Sequence, residues 1–216
     1  IPFEYDFSHS MWLRGNYKEL VDSPLNPQNQ IAVISQRVGV VEWRPDLTLI
    51  KKTLKVKFRP RLLTTVSQAE VAGATRDRET ASKMEWNEFF AVLDASETLT
   101  FTYGLHNYQW GPAEALSPSN KIFRETAQTK DLFYMTKGKH LFRANLTPEQ
   151  NWTEVLMFEV GDNGEPEFEA GEAFAMKASL KSEYAWNGGA DYFGLVLGGR
   201  ERGRGWLGEY FSLDVY

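Results

Sequence analysis

The segment Leu54-Lys55-Val56-Lys57-Phe58-Arg59-Pro60-Arg61-Leu62-Leu63-Thr64-Thr65-Val66 decides how this chain reads. One parity holds Leu54, Val56, Phe58, Pro60 and Leu62, and the other holds Lys55, Lys57, Arg59 and Arg61. Successive strand side chains point to opposite faces, so this is an apolar face backed by a row of cations. The pattern recurs where Leu99, Phe101, Tyr103 and Leu105 alternate with Thr98, Thr100, Thr102, Gly104 and His106. It recurs where Phe174, Met176, Ala178 and Leu180 alternate with Ala175, Lys177, Ser179 and Lys181. Phe193, Leu195 and Leu197 share one parity, as do Phe211, Leu213 and Val215. These are half-buried strands. Weaker candidates lie at 9–19, 31–44, 81–93, 138–146 and 152–160. Over 81–93, Trp86, Phe89, Phe90 and Val92 do not keep one parity, which leaves a helix open there.

Composition narrows the class. The 216 residues are 42% hydrophobic and 14% aromatic, so disorder is excluded. There is no cysteine, which removes disulfide scaffolds, thiolate metal sites and thiol nucleophiles together. A net charge of -5 argues against a nucleic-acid partner. Mean hydropathy is -0.43, and no apolar run approaches the roughly 18 residues of a spanning helix. The opening Ile1-Pro2-Phe3-Glu4 has no basic or apolar leader pattern and reads as a processed or trimmed end, which leaves export open.

Strand length and connectors turn an all-β reading toward the membrane. The strands run to roughly 10 residues, the length a tilted strand needs to cross a bilayer. Connectors 20–30, 67–80 and 110–137 are long and polar, and they alternate with shorter links at 45–53, 94–97 and 147–151. The links 161–167, 182–189 and 199–205 fit either class. In outer-membrane barrels, long outer loops alternate with short periplasmic turns in this way. Small and neutral residues (Thr100, Thr102, Gly104, Ser179, Gly194, Gly198, Ser212) mix with charges on the polar faces, as in a lumen. Trp43, Trp110, Trp152, Tyr184, Trp186 and Trp206 fall near strand ends, as interfacial aromatics do. The expected fold is a single antiparallel up-and-down transmembrane β-barrel domain over 1–216, with about ten strands. A soluble barrel or sandwich with its apolar face inward is the competing fold.

The stretch from Gly104 through Trp110-Gly111-Pro112 to Ser117-Pro118-Ser119-Asn120 and Phe123 resembles the strand-to-loop segment of porin-like bacterial outer-membrane barrels. Gly138-Lys139-His140-Leu141-Phe142-Arg143 through Pro148 resembles their returning strand and periplasmic turn. The resemblance implies a passive channel or structural barrel of the bacterial outer membrane, without a cofactor. The end departs from it: Tyr216 shares parity with Asp214, Ser212 and Tyr210 and not with Phe211, Leu213 and Val215. The chain therefore reads as the first ten strands of a larger barrel, or as a ten-stranded barrel with an unusual end. Ten strands enclose little open lumen.

Lys55, Lys57, Arg59 and Arg61, with Lys177 and Lys181, are the candidate lumen residues, facing anions or pairing with Glu85, Glu88 and Glu183. Loop 110–137 is too apolar at Ile122, Phe123, Leu132 and Phe133 for free disorder, and its Trp110, Glu114, Asn120 and Phe123 are candidate constriction residues. Arg200-Glu201-Arg202-Gly203-Arg204-Gly205 is an exposed basic turn within reach of lipopolysaccharide phosphates. His9, His106 and His140 have no metal spacing, and His106 lacks a local nucleophile. Glu167, Glu169 and Glu172 mark a solvated segment. The expectation is a non-enzymatic, porin-like channel for small hydrophilic or anionic solutes, with lipid bilayer and lipopolysaccharide as surroundings. One alternative is a non-transport barrel binding a protein, a second copy or a surface polysaccharide through its outer loops. The other is a soluble carbohydrate-binding β-sandwich.

Overall fold

A computed structural model describes residues 3–20, 23–76, 78–108, 138–161 and 176–213. The described residues are all-β, and no α-helix occurs among them. The strands are β1 (Glu4–Tyr17), β2 (Arg37–Lys51), β3 (Leu54–Gln68), β4 (Glu70–Val71), β5 (Ala74–Thr75), β6 (Glu79–Asp94) and β7 (Leu99–His106). They continue as β8 (Lys139–Glu149), β9 (Trp152–Gly161), β10 (Lys177–Trp186), β11 (Asp191–Arg200) and β12 (Trp206–Ser212). Ten of them form one sheet in the order β1-β2-β3-β6-β7-β8-β9-β10-β11-β12, and β4 and β5 form a separate small hairpin. Each strand pairs with its chain neighbour, as in an up-and-down meander. Among the described residues no ladder joins β1 to β12, and the sheet is not closed as a barrel.

The connectors sort more sharply than the sequence suggests. Links on one edge of the sheet are tight: Lys52–Thr53, Ala95–Thr98, Gln150–Asn151 and Asn187–Ala190. Those on the other edge run from Tyr17 to Arg37, Gln68 to Glu79, His106 to Lys139 and Gly161 to Lys177. Only the last, Arg200 to Trp206, is short on that edge. The link predicted over 45–53 shrinks because β2 continues through Pro45, and Lys52 turns the chain at φ 53°.

Two expectations shift at the other edge. The strand predicted from Ile31 begins only at Arg37. Asn26 Oδ1 accepts the N–H groups of Ile31 and Ala32 at 2.9 and 3.0 Å, and Asn29 Oδ1 accepts that of Ile34 at 2.9 Å. Those donors are therefore lost to a ladder. The segment 81–93 is strand throughout. Its parity breaks in the middle: Asn87 is 2% exposed, whereas Phe89, two residues on, is 48% exposed. Removing the apolar residues from one parity mid-strand is what makes the sequence ambiguous.

The chain divides into two compact units. The first comprises Ile1–Asp6, Thr48–Phe58 and Asn87–Tyr216, and the second comprises Phe7–Leu47 and Arg59–Trp86. In the first unit the buried apolar cluster is small: Leu141, Met157, Val196 and Tyr210, with Tyr108 and Tyr192 packed against it. Gly194 and Gly198 seat rings there: a Cβ at Gly194 would overlap Tyr210, and one at Gly198 would overlap the Trp206 indole. Trp206, expected among the exposed strand-end aromatics, instead lies over Gly198 on the covered face. Gly194→Val is expected to cost about 1–3 kcal/mol through overpacking, measured by urea unfolding; an unchanged midpoint would mean that Tyr210 moves freely.

Candidate functional site

The polar parity is the covered one. In β10, Lys177, Ser179 and Lys181 are buried while Leu180 and Tyr184 between and beyond them are exposed. In β11, Gly194 and Val196 are buried and Phe193, Leu195 and Leu197 are exposed. In β9, Glu159 is 3% exposed and Leu156 is 38% exposed. The second unit repeats this: Glu42 is 3% exposed, and its neighbours Val41 and Trp43 are 42% and 41% exposed. Along β1 the odd positions Phe7, Met11, Leu13 and Tyr17 are all exposed.

In the second unit the covered charges form a network. Arg61 grips Glu42 with both ends of its fork, Nε to Oε1 at 2.5 Å and Nη2 to Oε2 at 2.9 Å. Arg44 Nε also donates to Glu42 Oε1, and its guanidinium lies 5.5 Å from the Trp12 ring centre. Arg61 also reaches Glu85 at 3.6 Å, and Lys83 pairs with Glu85 at 2.7 Å. Arg59 donates twice to Asp46 Oδ2, at 2.9 and 2.6 Å. Bidentate, charge-assisted contacts of this kind are among the stronger hydrogen bonds.

In the first unit, Lys55 pairs with Asp94 at 3.2 Å, and Thr100 donates to the other Asp94 oxygen at 3.1 Å. Glu159 lies between Lys139 at 2.9 Å and Lys177 at 3.5 Å. Lys181 contacts Glu183 at 3.1 Å, and the Tyr210 hydroxyl donates to Glu183 at 2.6 Å. Arg143 differs from all of these. Its Nη2 donates to Thr102 Oγ1 at 3.3 Å and its guanidinium lies 4.3 Å from the Tyr108 ring centre. Neither group neutralises it. Burial pushes the Tyr108 phenol above its ordinary pKa, with Arg143 pulling the other way, so Tyr108 faces Arg143 as a neutral ring.

The six cations singled out from the sequence therefore fall into both units. Lys177 and Lys181 are buried, and Lys55, Arg59 and Arg61 are paired with carboxylates as described. Lys57 is half-buried in β3. Glu85 is a partner as expected, but Glu42, Asp46 and Asp94 carry most of the pairing. Glu42 and Asp46 continue the even parity of Val38 and Val40, a signal that Pro45 conceals. Trp110, Glu114, Asn120 and Phe123, with the rest of loop 110–137, lie outside the described residues, as do Glu167, Glu169 and Glu172.

His106 is 2% exposed, with Nδ1 3.1 Å from the Gly104 carbonyl and its ring against Phe90. Among the described residues no group of His, Asp and Glu is arranged to hold a metal. Residues 201–205 form an exposed turn, with Arg202 at φ 56° and Gly203 N–H donating to Arg200 O, while Arg200, expected in that turn, is the half-buried end of β11. No protein-family model, curated protein or solved structure matches this chain.

Proposed function

We propose that this chain is a bacterial outer-membrane β-barrel that works as a passive, porin-like channel favouring small anionic solutes. One observation carries it: the exposed parity of the sheet is apolar, whereas the covered parity holds Glu42, Glu159, Lys177 and Lys181 beside the apolar Val40, Leu141, Met157 and Val196. Water would select the reverse, because a soluble sandwich buries its apolar face. A bilayer-spanning barrel puts apolar side chains toward lipid and polar ones toward its interior. Trp152, Tyr184 and Trp186 are exposed near strand ends, where interfacial aromatics belong, whereas Trp43, expected at a strand end, lies in the middle of β2 because that strand continues through Pro45. Long links on one edge and tight turns on the other match outer loops and periplasmic turns. A bilayer leaves no sheet edge unpaired, so the free edges of β1 and β12 must be paired in the membrane.

Anion preference follows from the balance of charge on the covered face. Among the described residues of the first unit, Lys57, Lys139, Arg143, Lys177, Lys181 and Arg200 are buried or half-buried on that face, against Asp94, Glu159 and Glu183. The chain as a whole carries -5, so cations are concentrated on this face. Rings of such cations favour anions in a pore. Among the described residues Arg143 contacts no carboxylate, and it contributes the most unbalanced charge. In planar bilayers under a salt gradient, the reversal potential is expected to report anion preference. Arg143→Gln should lower the anion-to-cation permeability ratio, and Arg143→Glu should lower it by at least about tenfold, because a unit charge about 12 Å from the ion in an effective dielectric near 20 already shifts its energy by about 1.4 kcal/mol. A protein that inserts and shows no conductance would instead favour a non-transport barrel.

A further inference from the structure

The outward parity of the second unit carries a groove of about 690 Å³. That is within the roughly 300–1,000 Å³ of small-ligand sites. Leu13 and Tyr17 of β1, Val41 of β2 and Val66 of β3 line it, with Arg37 and Arg78 also in its wall. Gly15 and Gly39 leave its floor open, since a Cβ at either would meet nothing within 4 Å. The lining comes from the end of β1, the start of β2 and the end of β3, so the groove lies at the long-loop edge of the sheet. Arg37 makes a 3.4 Å hydrogen bond to the Gln68 side chain, and among the described residues neither arginine pairs with a carboxylate. Glu70 and Glu79 are near in sequence but form no ion pair with them.

We propose that this groove holds an anionic, phosphate-bearing bilayer lipid. One acyl chain lies over Gly15 and Gly39 between Leu13, Val41 and Val66, and the head-group phosphate meets Arg37 and Arg78. The proposal rests on the bilayer reading above and adds a specific lipid site to it. The physical ground is the pairing of an apolar floor with two guanidinium groups that lack carboxylates at one end. Guanidinium forks match phosphate oxygens in geometry and charge. A cation near a membrane surface contributes to lipid binding by about a factor of five.

The test is lipid binding to the full chain in mild detergent, read by native mass spectrometry with phosphatidylglycerol and phosphatidylcholine as probes. Phosphatidylglycerol is expected to bind more tightly, and millimolar inorganic phosphate should not displace it. Arg37→Gln with Arg78→Gln should weaken phosphatidylglycerol about 25-fold and phosphatidylcholine, whose phosphate is offset by its choline, by much less. Gly39→Leu should weaken both lipids while heat-modifiable gel migration shows the fold intact, because its side chain enters open space. Equal affinity for the two lipids overturns the proposal, as does full binding in either variant or displacement by phosphate. A chain that stays soluble without detergent overturns the bilayer reading as well, whereas a detergent-requiring chain without lipid preference overturns only this site.

Discussion

Leu156→Arg is expected to cost about 2–4 kcal/mol of folding free energy in a lipid bilayer, the penalty for a cation on the lipid face near the midplane. Leu156 is central in β9 and 38% exposed. Its cross-strand partners are Ala144 and Leu180, so no carboxylate stands directly opposite to receive the new charge. Tyr184→Arg, near the end of β10, should cost about 0–1 kcal/mol because the penalty fades toward the interface. Urea unfolding in phosphocholine vesicles, followed by tryptophan fluorescence, measures both. On a water-facing surface, either substitution would stay within about 0.5 kcal/mol. Equal, small losses at the two positions would remove the lipid from the outward face.

The contrast between those two positions shows what the sequence makes legible. Alternation in 54–66 assigns faces without any structure, but Val155-Leu156-Met157-Phe158 is apolar on both parities, so the face of Leu156 emerges only from the fold. Alternation alone does not say which face is covered. Leu180 and Lys181 would exchange environments between a soluble sandwich and a membrane barrel, with the sequence unchanged. Only the exposure of Leu180 at 42% and of Lys181 at 8% separates the two.

Elsewhere local chemistry hides the pattern. Pro45 reads as a stop, so Asp46 drops out of the strand and Arg59 loses its partner on paper. Asn26 and Asn29 draw the backbone donors of 31–34 into a turn although Ile31, Val33 and Ile34 look strand-like. Arg143 gives no sequence signal at all. It lies opposite Thr102 in the register, and that no described carboxylate meets it emerges only once β7, β8 and β9 are aligned. Trp206 sits near a strand end, as a girdle residue would, yet its parity places it over Gly198. Position along a strand and parity across it are independent, and the membrane argument needs both.

The other large effect belongs to Glu42. Its carboxylate is 3% exposed and holds two guanidinium groups, Arg61 and Arg44, themselves 13% and 14% exposed. Removing one member of a buried ionic cluster leaves its partners' charge uncompensated, at a cost of about 3–5 kcal/mol. Glu42→Ala should therefore lose that much in urea unfolding. Arg61 keeps its longer contact to Glu85, which already binds Lys83. Replacing Glu42, Arg44 and Arg61 together by Leu, Met and Met should recover most of the loss, since the desolvation penalty goes with the charges. The triple variant should also conduct anions less well in planar bilayers, because it exchanges two cations and one carboxylate for apolar surface. Stability and selectivity would then part: one recovers while the other falls. If Glu42→Ala costs under about 0.5 kcal/mol, the cluster is solvated like an ordinary surface pair, and the covered face is open to water throughout the second unit.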